Sequence, residues 1–498
     1  MKEKLSIFFE KIKEEVEKSR FSIRTYEEGK VLSVGDGIVY ISGLEDAKLY
    51  ELIELQSGDE GIIFDLDAER IGVVLLTEQN NLKAGDSAYK TERIASINVG
   101  EELLGRVVDA LGKPIDGIPR PEHTIPYPVE REAPLLIQRD FVAKPLYTGL
   151  KVIDSMLPIG RGQRELIIGD PSTGKTSIAV DIIINQKNSD IISIYVVIGQ
   201  KKSRILKVIE EIKTYGDFLK TIFVVADATD SLGLQYIAPY SATAIAEYFL
   251  DKGRDVLIVY DDLTKHAEAY RSLSLLLRKP PGREAYPGDI FFIHSRLLER
   301  SAKLNQKYGG GSITALPIIE TQQGRISSYI PTNLISITDG QIYLDASLFN
   351  KGIRPAIDVG RSVSRIGGRA QVEAMKTVAE RLKIDYSRFL GVEVFTKLGA
   401  HLEEETSRLI RRGERLREIL KQPRFHPFSL EEEVLSFLIL ESGILDALDI
   451  DSVDRVYRDV LNQTKRMFPE IMAHVKDEGR LGKTDMEILN DFFNKLEI

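Results

Sequence analysis

The feature that most constrains this chain is a glycine-rich segment between an apolar strand and a helical pattern. Leu166–Ile168 predicts a short strand, Gly169-Asp-Pro-Ser-Thr-Gly-Lys-Thr176 follows it, and Ile178, Ile182 and Asn185 then recur at helical spacing. Glycines at this spacing let backbone N–H groups turn toward phosphate oxygens, and the new helix directs its positive end at the same point. A turn that binds nothing is the alternative, but the strand before and the helix after it predict a nucleotide-phosphate site, a P-loop.

The residues of this loop have distinct expected roles. Lys175 should reach the β- and γ-phosphates, and the Thr176 hydroxyl should ligate Mg²⁺. A second element, Val256–Asp262, is an apolar strand that ends in carboxylates, and Asp261 is the expected magnesium partner. The predicted ATP- or ADP-binding loop comprises Gly169, Asp170, Pro171, Ser172, Thr173, Gly174, Lys175 and Thr176.

The carboxylate that would activate water is missing from the end of the strand where it is expected. Residues 192–199 predict a strand, expected beside the P-loop strand, and it ends in Gln200. A hydrolase of this type needs a carboxylate near the γ-phosphate to polarise the attacking water, whereas an amide can position water but cannot accept its proton. The sequence therefore predicts that the chain binds ATP without hydrolysing it well.

Composition excludes several classes of protein. The chain has 498 residues and no Cys, so disulfides and thiolate metal sites are unavailable. Its formal net charge of -9 argues against general nucleic-acid binding. The apolar runs are far shorter than the roughly 20 residues that a membrane-spanning helix needs, and residues 5–9 are too short for the apolar core of a signal peptide. We expect a soluble protein that reaches a membrane only through partners.

The pattern of hydrophobicity changes along the chain and predicts a multidomain α/β architecture. Residues 1–23 predict an amphipathic helix, which either packs on its own domain or docks another subunit. Residues 24–98 have a period of two and predict a small all-β barrel or sandwich. Residues 99–370 alternate strands with helices and predict a mostly parallel sheet, covered on both faces, that carries the P-loop. Residues 371–498 predict a helical domain, with a capping box at Ser429 and Glu432.

Two arginine-rich segments remain ambiguous from the residues alone. Gly352–Gly368 contains Arg354, Arg361 and Arg365 among glycines and serines, which is typical of a loop that presents a side chain. An arginine offered to a neighbour's γ-phosphate can raise the rate by about 10³–10⁵, although an ordinary ion-pairing arginine is the simpler interpretation. Residues 408–420 mix Arg and Glu at helical spacing, which usually indicates a solvated face.

Longer segments resemble a known family. The chain resembles the α subunits of F-type ATP synthases from about Glu28 to Phe493, through Tyr260–Asp289, Gly309–Gln322, Tyr329–Gln341 and Pro355–Ser364. The resemblance implies a β-barrel, a RecA-like P-loop NTPase domain and a C-terminal helical bundle. It also implies a non-catalytic subunit that holds ATP or ADP with Mg²⁺ and serves ATP synthesis or hydrolysis coupled to proton transport.

The resemblance assigns further site residues. It implies that Arg365 is an arginine finger acting in trans on the neighbouring β subunit, with Ser362 and Ser336 in the matching interface segments. It places Gln200 where the catalytic subunit carries its glutamate. The residues implied to border the adenine pocket are Arg354, Pro355 and Gln422.

The implied partners follow from the same resemblance. They are β subunits in an alternating α3β3 hexamer, the γ subunit of the central stalk, and the δ subunit or peripheral stalk, which the N-terminal helix would dock. No nucleic acid is implied, and the membrane is reached only through the ion-conducting sector. The complex would lie peripherally on the cytoplasmic face of a membrane.

Several positions depart from the family pattern. Pro171 and Ser172 replace an Arg and a Gln of the usual P-loop, and Pro removes one backbone N–H, so we expect weaker nucleotide retention. Arg424 stands where a second adenine-side glutamine is usual, Arg361 and Arg369 add charge beside the finger, and residues 402–406 also differ. These departures leave open a specialised F1-like ATPase or scaffold not coupled to ATP synthesis; a self-sufficient hexameric ATPase is a further alternative.

Overall fold

The computed structural model describes residues 27–77, 82–396 and 404–496. The predicted N-terminal helix lies outside these ranges, as do residues 402 and 403 of the divergent 402–406 segment. The chain divides into two compact units, the first ending at Ile94 and the second beginning at Ala95. The boundaries predicted from the sequence at residues 23, 98 and 370 stay predictions.

The first unit is a closed six-stranded barrel, so the barrel prediction is confirmed. Neighbouring strands are antiparallel, in the order β1-β2-β5-β4-β3-β6, and β6 pairs with β1 to close the ring. Alternating side chains such as Val39, Ile53 and Val73 fill the interior, as a period of two requires. The strands are β1 (Glu28–Gly35), β2 (Ile38–Ser42), β3 (Glu51–Leu55), β4 (Glu60–Leu66), β5 (Ile71–Leu75) and β6 (Ser87–Ile94).

The second unit contains an eight-stranded sheet and a separate two-stranded pair. The pair is β7 (Ser96–Val99) with β9 (Ile125–Pro128). The strands of the large sheet are β8 (Val107–Asp109), β10 (Leu166–Gly169), β11 (Ile192–Gln200), β12 (Thr221–Asp227), β13 (Asp255–Asp261), β14 (Ser312–Glu320), β15 (Gly340–Leu344) and β16 (Val363–Ser364). Their order is β16-β15-β10-β14-β13-β11-β12-β8, and all pairs are parallel except β15 with β16.

Helices cover this sheet and form the C-terminal part of the chain. The first eight are α1 (Lys151–Met156), α2 (Lys175–Asn185), α3 (Lys202–Tyr215), α4 (Leu232–Asp251), α5 (Leu263–Leu276), α6 (Ile290–Leu298), α7 (Tyr329–Ile337) and α8 (Ala346–Asn350). The remaining six are α9 (Glu373–Thr396), α10 (Glu404–Leu420), α11 (Leu430–Glu441), α12 (Ile450–Met467), α13 (Pro469–Ala473) and α14 (Lys483–Lys495). The capping box predicted at Ser429 and Glu432 is present at the start of α11. Within the described residues, no helix combines the length and the apolar character needed to cross a bilayer.

The central strands are apolar along their whole length because helices bury both faces of the sheet. Strand β10 lies inside the sheet, between β14 and β15, so the P-loop opens at the carboxyl edge, where α/β proteins bind ligands. One prediction about the order of strands in the sheet is wrong. The strand ending in Gln200 is not beside the P-loop strand, because β13 and β14, which come later in the chain, lie between β11 and β10.

A buried ionisable cluster links α1 to α11. The Lys151 ammonium lies 4.2 Å from the centre of the Phe428 ring, and Asp154 accepts hydrogen bonds from Thr148 and Gly149. Glu433 is fully buried beside Asp154, and its carboxyl oxygens accept no hydrogen bond from the described residues. Burial raises the pKa of Asp154 to about 6 and lowers that of Lys151 to about 8. Burial, followed by the Asp154 charge, also raises the pKa of Glu433 well above its ordinary value.

Glu433→Gln is therefore expected to stabilise the protein in a pH-dependent way. The folded chain holds the Glu433 proton more tightly than the unfolded chain, so the stability associated with that proton is lost as pH rises above about 4.5. We expect the free energy of unfolding to rise by about 1–3 kcal/mol at pH 7.5 and much less at pH 5. Thermal unfolding at the two pH values measures this. Glu431→Gln, on the same helix but only half-buried, is the control, and an equal shift at both pH values would contradict the prediction.

Candidate functional site: a phosphate-binding loop and a separate exposed arginine

The P-loop joins β10 to α2 in a conformation that depends on its glycines. Gly174 has φ of +102°, where side chains are strained, and it directly precedes the first residue of α2. A Cβ at Gly169 would lie 2.7 Å from the Leu344 carbonyl oxygen, so strand packing excludes a side chain there. The Thr173 hydroxyl donates to the Asp170 carbonyl at 2.8 Å, while the Asp170 carboxylate accepts from Thr321 at 2.7 Å. The loop is therefore held by its own side chains.

Pro171 and Ser172 form the exposed crest of the loop. Ser172 has φ of +63°, the left-handed region, which turns the chain back toward the helix. Ser172 also lines the large cavity described below. Pro171 contributes no backbone N–H to the cradle, so the donors available to phosphate come from the residues that follow it.

Lys175 extends across the loop and is almost fully buried. Its ammonium donates to the carbonyl oxygens of Gly169 at 2.9 Å and Asp170 at 2.7 Å, and it lies 3.5 Å from the Glu320 carboxylate. Burial lowers the pKa of Lys175, and the negative charge of Glu320 opposes that shift. This is a cation in a low-dielectric position, where its attraction to a phosphate is strongest.

Thr176 and the end of β13 form one hydrogen-bond network. The Thr176 hydroxyl donates to Asp261 Oδ2 at 2.8 Å, and the Tyr195 hydroxyl donates to the same oxygen at 2.6 Å. Burial and the Asp261 charge raise the pKa of Tyr195 well above its ordinary value, so it remains a donor. The two residues predicted to serve magnesium thus lie together at the first turn of α2.

Gln200 lies at the same edge of the sheet and is buried. Its amide nitrogen donates to the backbone carbonyl of Asp261 at 3.0 Å. Two acids also lie close by. Asp262 caps α5 by accepting from the Lys265 N–H at 2.9 Å, and burial together with the Asp261 charge raises its pKa to about 7. Glu320 is the acid beside Lys175. Both acids are therefore already engaged within this chain, Asp262 by the Lys265 N–H and Glu320 by the Lys175 ammonium.

An open cavity of about 770 Å³ runs from the P-loop to the C-terminal helices. Its volume is within the range of about 300–1,000 Å³ that small-molecule sites have. Its lining includes Lys175 and Thr176 of the P-loop as well as Phe349, Arg354 and Gln422. The residues predicted to bind phosphate and those predicted to border adenine are thus brought to one cavity.

The Gln422 side chain is already engaged within the chain. Its nitrogen donates to the carbonyls of Gly149 at 2.6 Å and His426 at 2.9 Å, and its oxygen accepts from the Lys151 N–H. Gln422 therefore forms part of the cavity wall, but its amide group is already engaged in hydrogen bonds within the chain. Pro355 lines a smaller cavity that shares Arg354 and Gln422 with the large one.

Arg365 follows β16 at the opposite edge of the sheet from β8. Its side chain is exposed, none of the ion pairs among the described residues involves it, and it is absent from the lining of the 770 Å³ cavity. The backbone around it is fixed. Its N–H donates to the Asp339 carbonyl at 2.9 Å, and the Ser364 hydroxyl donates to the Pro158 carbonyl at 2.8 Å. A rigid base thus presents a charged side chain away from this chain's own cavity.

The two predicted serines occupy different positions around this base. Ser362 is 2% exposed; its hydroxyl donates to the Asp358 carbonyl at 2.6 Å and accepts from the Tyr343 N–H at 2.9 Å. Ser336 is exposed on α7 and donates to the Asn333 carbonyl at 2.7 Å. Ser362 is therefore placed to hold the loop, whereas Ser336 lies on the segment just before Asp339.

The donor set at Thr176 and Asp261 fits magnesium. Both offer oxygen, which Mg²⁺ prefers, and this ion is commonly bound by one or two protein oxygens together with substrate phosphates. In the described residues no cluster of three or more His, Cys, Asp or Glu side chains forms a site for a metal ion. When bound, the ion would neutralise phosphate charge.

Comparison with known proteins agrees with this geometry. Residues 149–364 match the ATP synthase alpha/beta family, nucleotide-binding domain, and residues 371–496 match the ATP synthase alpha/beta chain, C terminal domain. An ATP synthase subunit alpha from Caldanaerobacter subterraneus subsp. tengcongensis is 50% identical over 476 residues, which cover 96% of this chain and 94% of that protein. The chain belongs to the ATP synthase alpha/beta family. An ATP synthase subunit alpha from Petrotoga mobilis is 48% identical over 483 residues, covering 95% of this chain and 96% of that protein.

Family membership confirms the resemblance noted in the sequence and makes this a nucleotide-binding protein. The sequence did not single out three residues around the P-loop and its Asp261 partner, which are Tyr195, Arg204 and Glu320. Their side chains come from different strands and helices, and only the order of the strands brings them together. A polar residue at the carboxyl end of a buried strand was the available signal for Glu320.

Proposed function

We propose that this chain is the non-catalytic alpha-type subunit of a rotary ATP synthase or ATPase coupled to proton transport. It binds Mg-ATP or Mg-ADP at its own P-loop and supplies Arg365 to the catalytic site of the adjacent beta subunit. The observation that carries the proposal is the separation of two functions in one chain. A phosphate cradle lies inside the 770 Å³ cavity, while an exposed, rigidly based arginine lies outside it.

The non-catalytic role is supported by the groups that face the P-loop. A general base must be free to take a proton from water. Gln200 has no such capacity, Asp261 accepts from Thr176 and Tyr195, and Asp262 caps a helix. The site thus favours holding a nucleotide over splitting it.

A self-sufficient ATPase is the second candidate, and Glu320 is the observation that favours it. Its carboxylate lies 3.5 Å from the Lys175 ammonium, at the phosphate end of the site. That contact is an ion pair, so the carboxylate is already engaged by the Lys175 ammonium. We therefore place it as a group that orients Lys175.

The full-length chain alone is expected to turn over ATP at least about a hundredfold more slowly than its complex with a beta-type subunit, since general-base catalysis contributes about 10²–10⁴. A phosphate-release assay on both preparations measures this. Glu320→Gln should change the residual rate of the isolated chain by no more than a few-fold, since Glu320 acts only through the position of Lys175. Rapid hydrolysis by the isolated chain that Glu320→Gln abolishes would instead assign catalysis to Glu320.

The chain works in a complex with other ATP synthase subunits. The specific arrangement we propose is an alternating ring with beta subunits around a gamma stalk. The N-terminal segment would dock the delta subunit or peripheral stalk, and the complex would lie on the cytoplasmic face of the membrane. Co-purification with membrane-sector subunits tests coupling to ion transport, and their absence would favour a specialised F1-like ATPase.

A further inference from the structure

Arg204 reaches into the phosphate end of the cavity from a different element. It lies in the first turn of α3, four residues after Gln200, and its side chain lines the 770 Å³ cavity. Its guanidinium donates to Thr176 Oγ1 at 2.5 Å. It therefore lies against the hydroxyl of the second residue of the P-loop helix, where phosphates and their cation are expected to converge.

The hydrogen bonds of Thr176 define which group donates and which accepts in its contact with Arg204. The Thr176 proton is directed to Asp261, so the hydroxyl turns a lone pair toward Arg204. A magnesium ion held by Thr176 would use a lone pair of the same oxygen. Two cations directed at one oxygen repel each other, so each weakens the hold of the other.

Arg204 differs from Arg424, an arginine of the same cavity, in its charge pairing. None of the ion pairs among the described residues includes Arg204. By contrast, Arg424, farther along the same cavity, is paired with Glu211 at 2.9 Å. A planar guanidinium without a carboxylate partner, beside a phosphate cradle, is suited to bind phosphate oxygens with two parallel hydrogen bonds.

We propose that Arg204 binds phosphate oxygens of the nucleotide and supplies part of the positive charge that a divalent cation otherwise supplies. The consequence is a site that retains ATP with reduced dependence on Mg²⁺. This inference rests on the proposed binding of nucleotide at the P-loop and adds to it a residue and a form of regulation by the metal.

The test measures the affinity of the full-length chain for ATP in excess Mg²⁺ and in EDTA. In EDTA, Arg204→Gln should weaken binding by about ten- to a hundredfold, as expected for the loss of charge-assisted hydrogen bonds. In Mg²⁺ the loss should be less than about threefold, because the ion neutralises the same phosphates. Arg204→Lys should restore part of the affinity in EDTA, since it keeps the charge but not the planar fork.

Lys207→Gln is the matched control, because Lys207 lies in the same helix, lines the same cavity and is exposed like Arg204, but its ammonium lies 4.0 Å from the Glu211 carboxylate instead of against Thr176. It should change affinity little in either buffer, and unfolding midpoints measured without nucleotide verify that the variants are folded. An unchanged ratio of the affinities in Mg²⁺ and EDTA for Arg204→Gln would overturn the role of Arg204 alone. A native chain that binds ATP in neither buffer would overturn nucleotide binding itself.

Discussion

In a complex of this chain with a beta-type subunit, Arg365→Ala is expected to lower ATP turnover by about 10³–10⁵. The reason is electrostatic, because a guanidinium near a γ-phosphate stabilises the charge that spreads over its oxygens in the transition state. The Arg365 backbone N–H and the Ser364 hydroxyl each donate to a backbone carbonyl and hold the base of the side chain, so it is preorganised for such a contact. Steady-state turnover of the purified complex measures the effect.

The chain contains a close control for that experiment. Arg361 lies in the same loop and is half exposed, but its guanidinium packs 5.0 Å from the centre of the Tyr343 ring and pairs with Asp358 at 3.4 Å. Arg361→Ala should therefore change turnover by no more than a few-fold. ATP binding to the isolated chain should be unaffected by Arg365→Ala, because Arg365 does not line the cavity. Equal losses of turnover in the two variants would mean that loop charge, and not Arg365, is responsible.

Lys175→Gln is expected to weaken ATP binding to the isolated chain by about a hundredfold or more in Mg²⁺, because it removes a buried, charge-assisted contact to two phosphates. Gln keeps much of the length of the side chain and can still donate one hydrogen bond, so the loss reports mainly the charge. Equilibrium titration with a fluorescent ATP analogue, competed by ATP, measures it.

The Lys207→Gln variant serves as control here too, since it removes one positive charge from the same cavity wall. It should lower the affinity by less than about threefold, as exposed charges are screened by water and salt. If both variants bound ATP as tightly as the native chain, the P-loop would not be the nucleotide site.

Local patterns in the sequence were sufficient for the secondary structure around the site. The strand from Leu166 to Gly169, the helix carrying Ile205 and Ile212, and the capping box at Ser429 are all present where the pattern places them. These elements follow from short-range rules of periodicity and capping. The closed barrel was one of two architectures that the strand pattern allowed.

Relations between distant segments were harder to predict. The strand ending in Gln200 was expected beside the P-loop strand, and two later strands separate them. The arginines of residues 408–420 were interpreted as a solvated face, but Arg415 is 6% exposed and donates to the carbonyls of Leu445 and Leu448. The contact between Arg204 and Thr176 likewise joins two helices that no local rule connects. Each case depends on contacts between segments that are far apart in the chain, and the periodic patterns of a single sequence do not reveal such contacts.

The closed barrel at the start of the described chain limits how neighbouring copies can associate through it. An open sheet exposes unpaired backbone N–H and C=O groups along its outer strands, which can pair with a strand of another molecule. Here β6 pairs with β1, so the ring of strands presents no such backbone seam. Neighbouring copies can therefore meet this ring through side chains and turns but find no strand edge to extend, so association by adding or exchanging a strand is disfavoured.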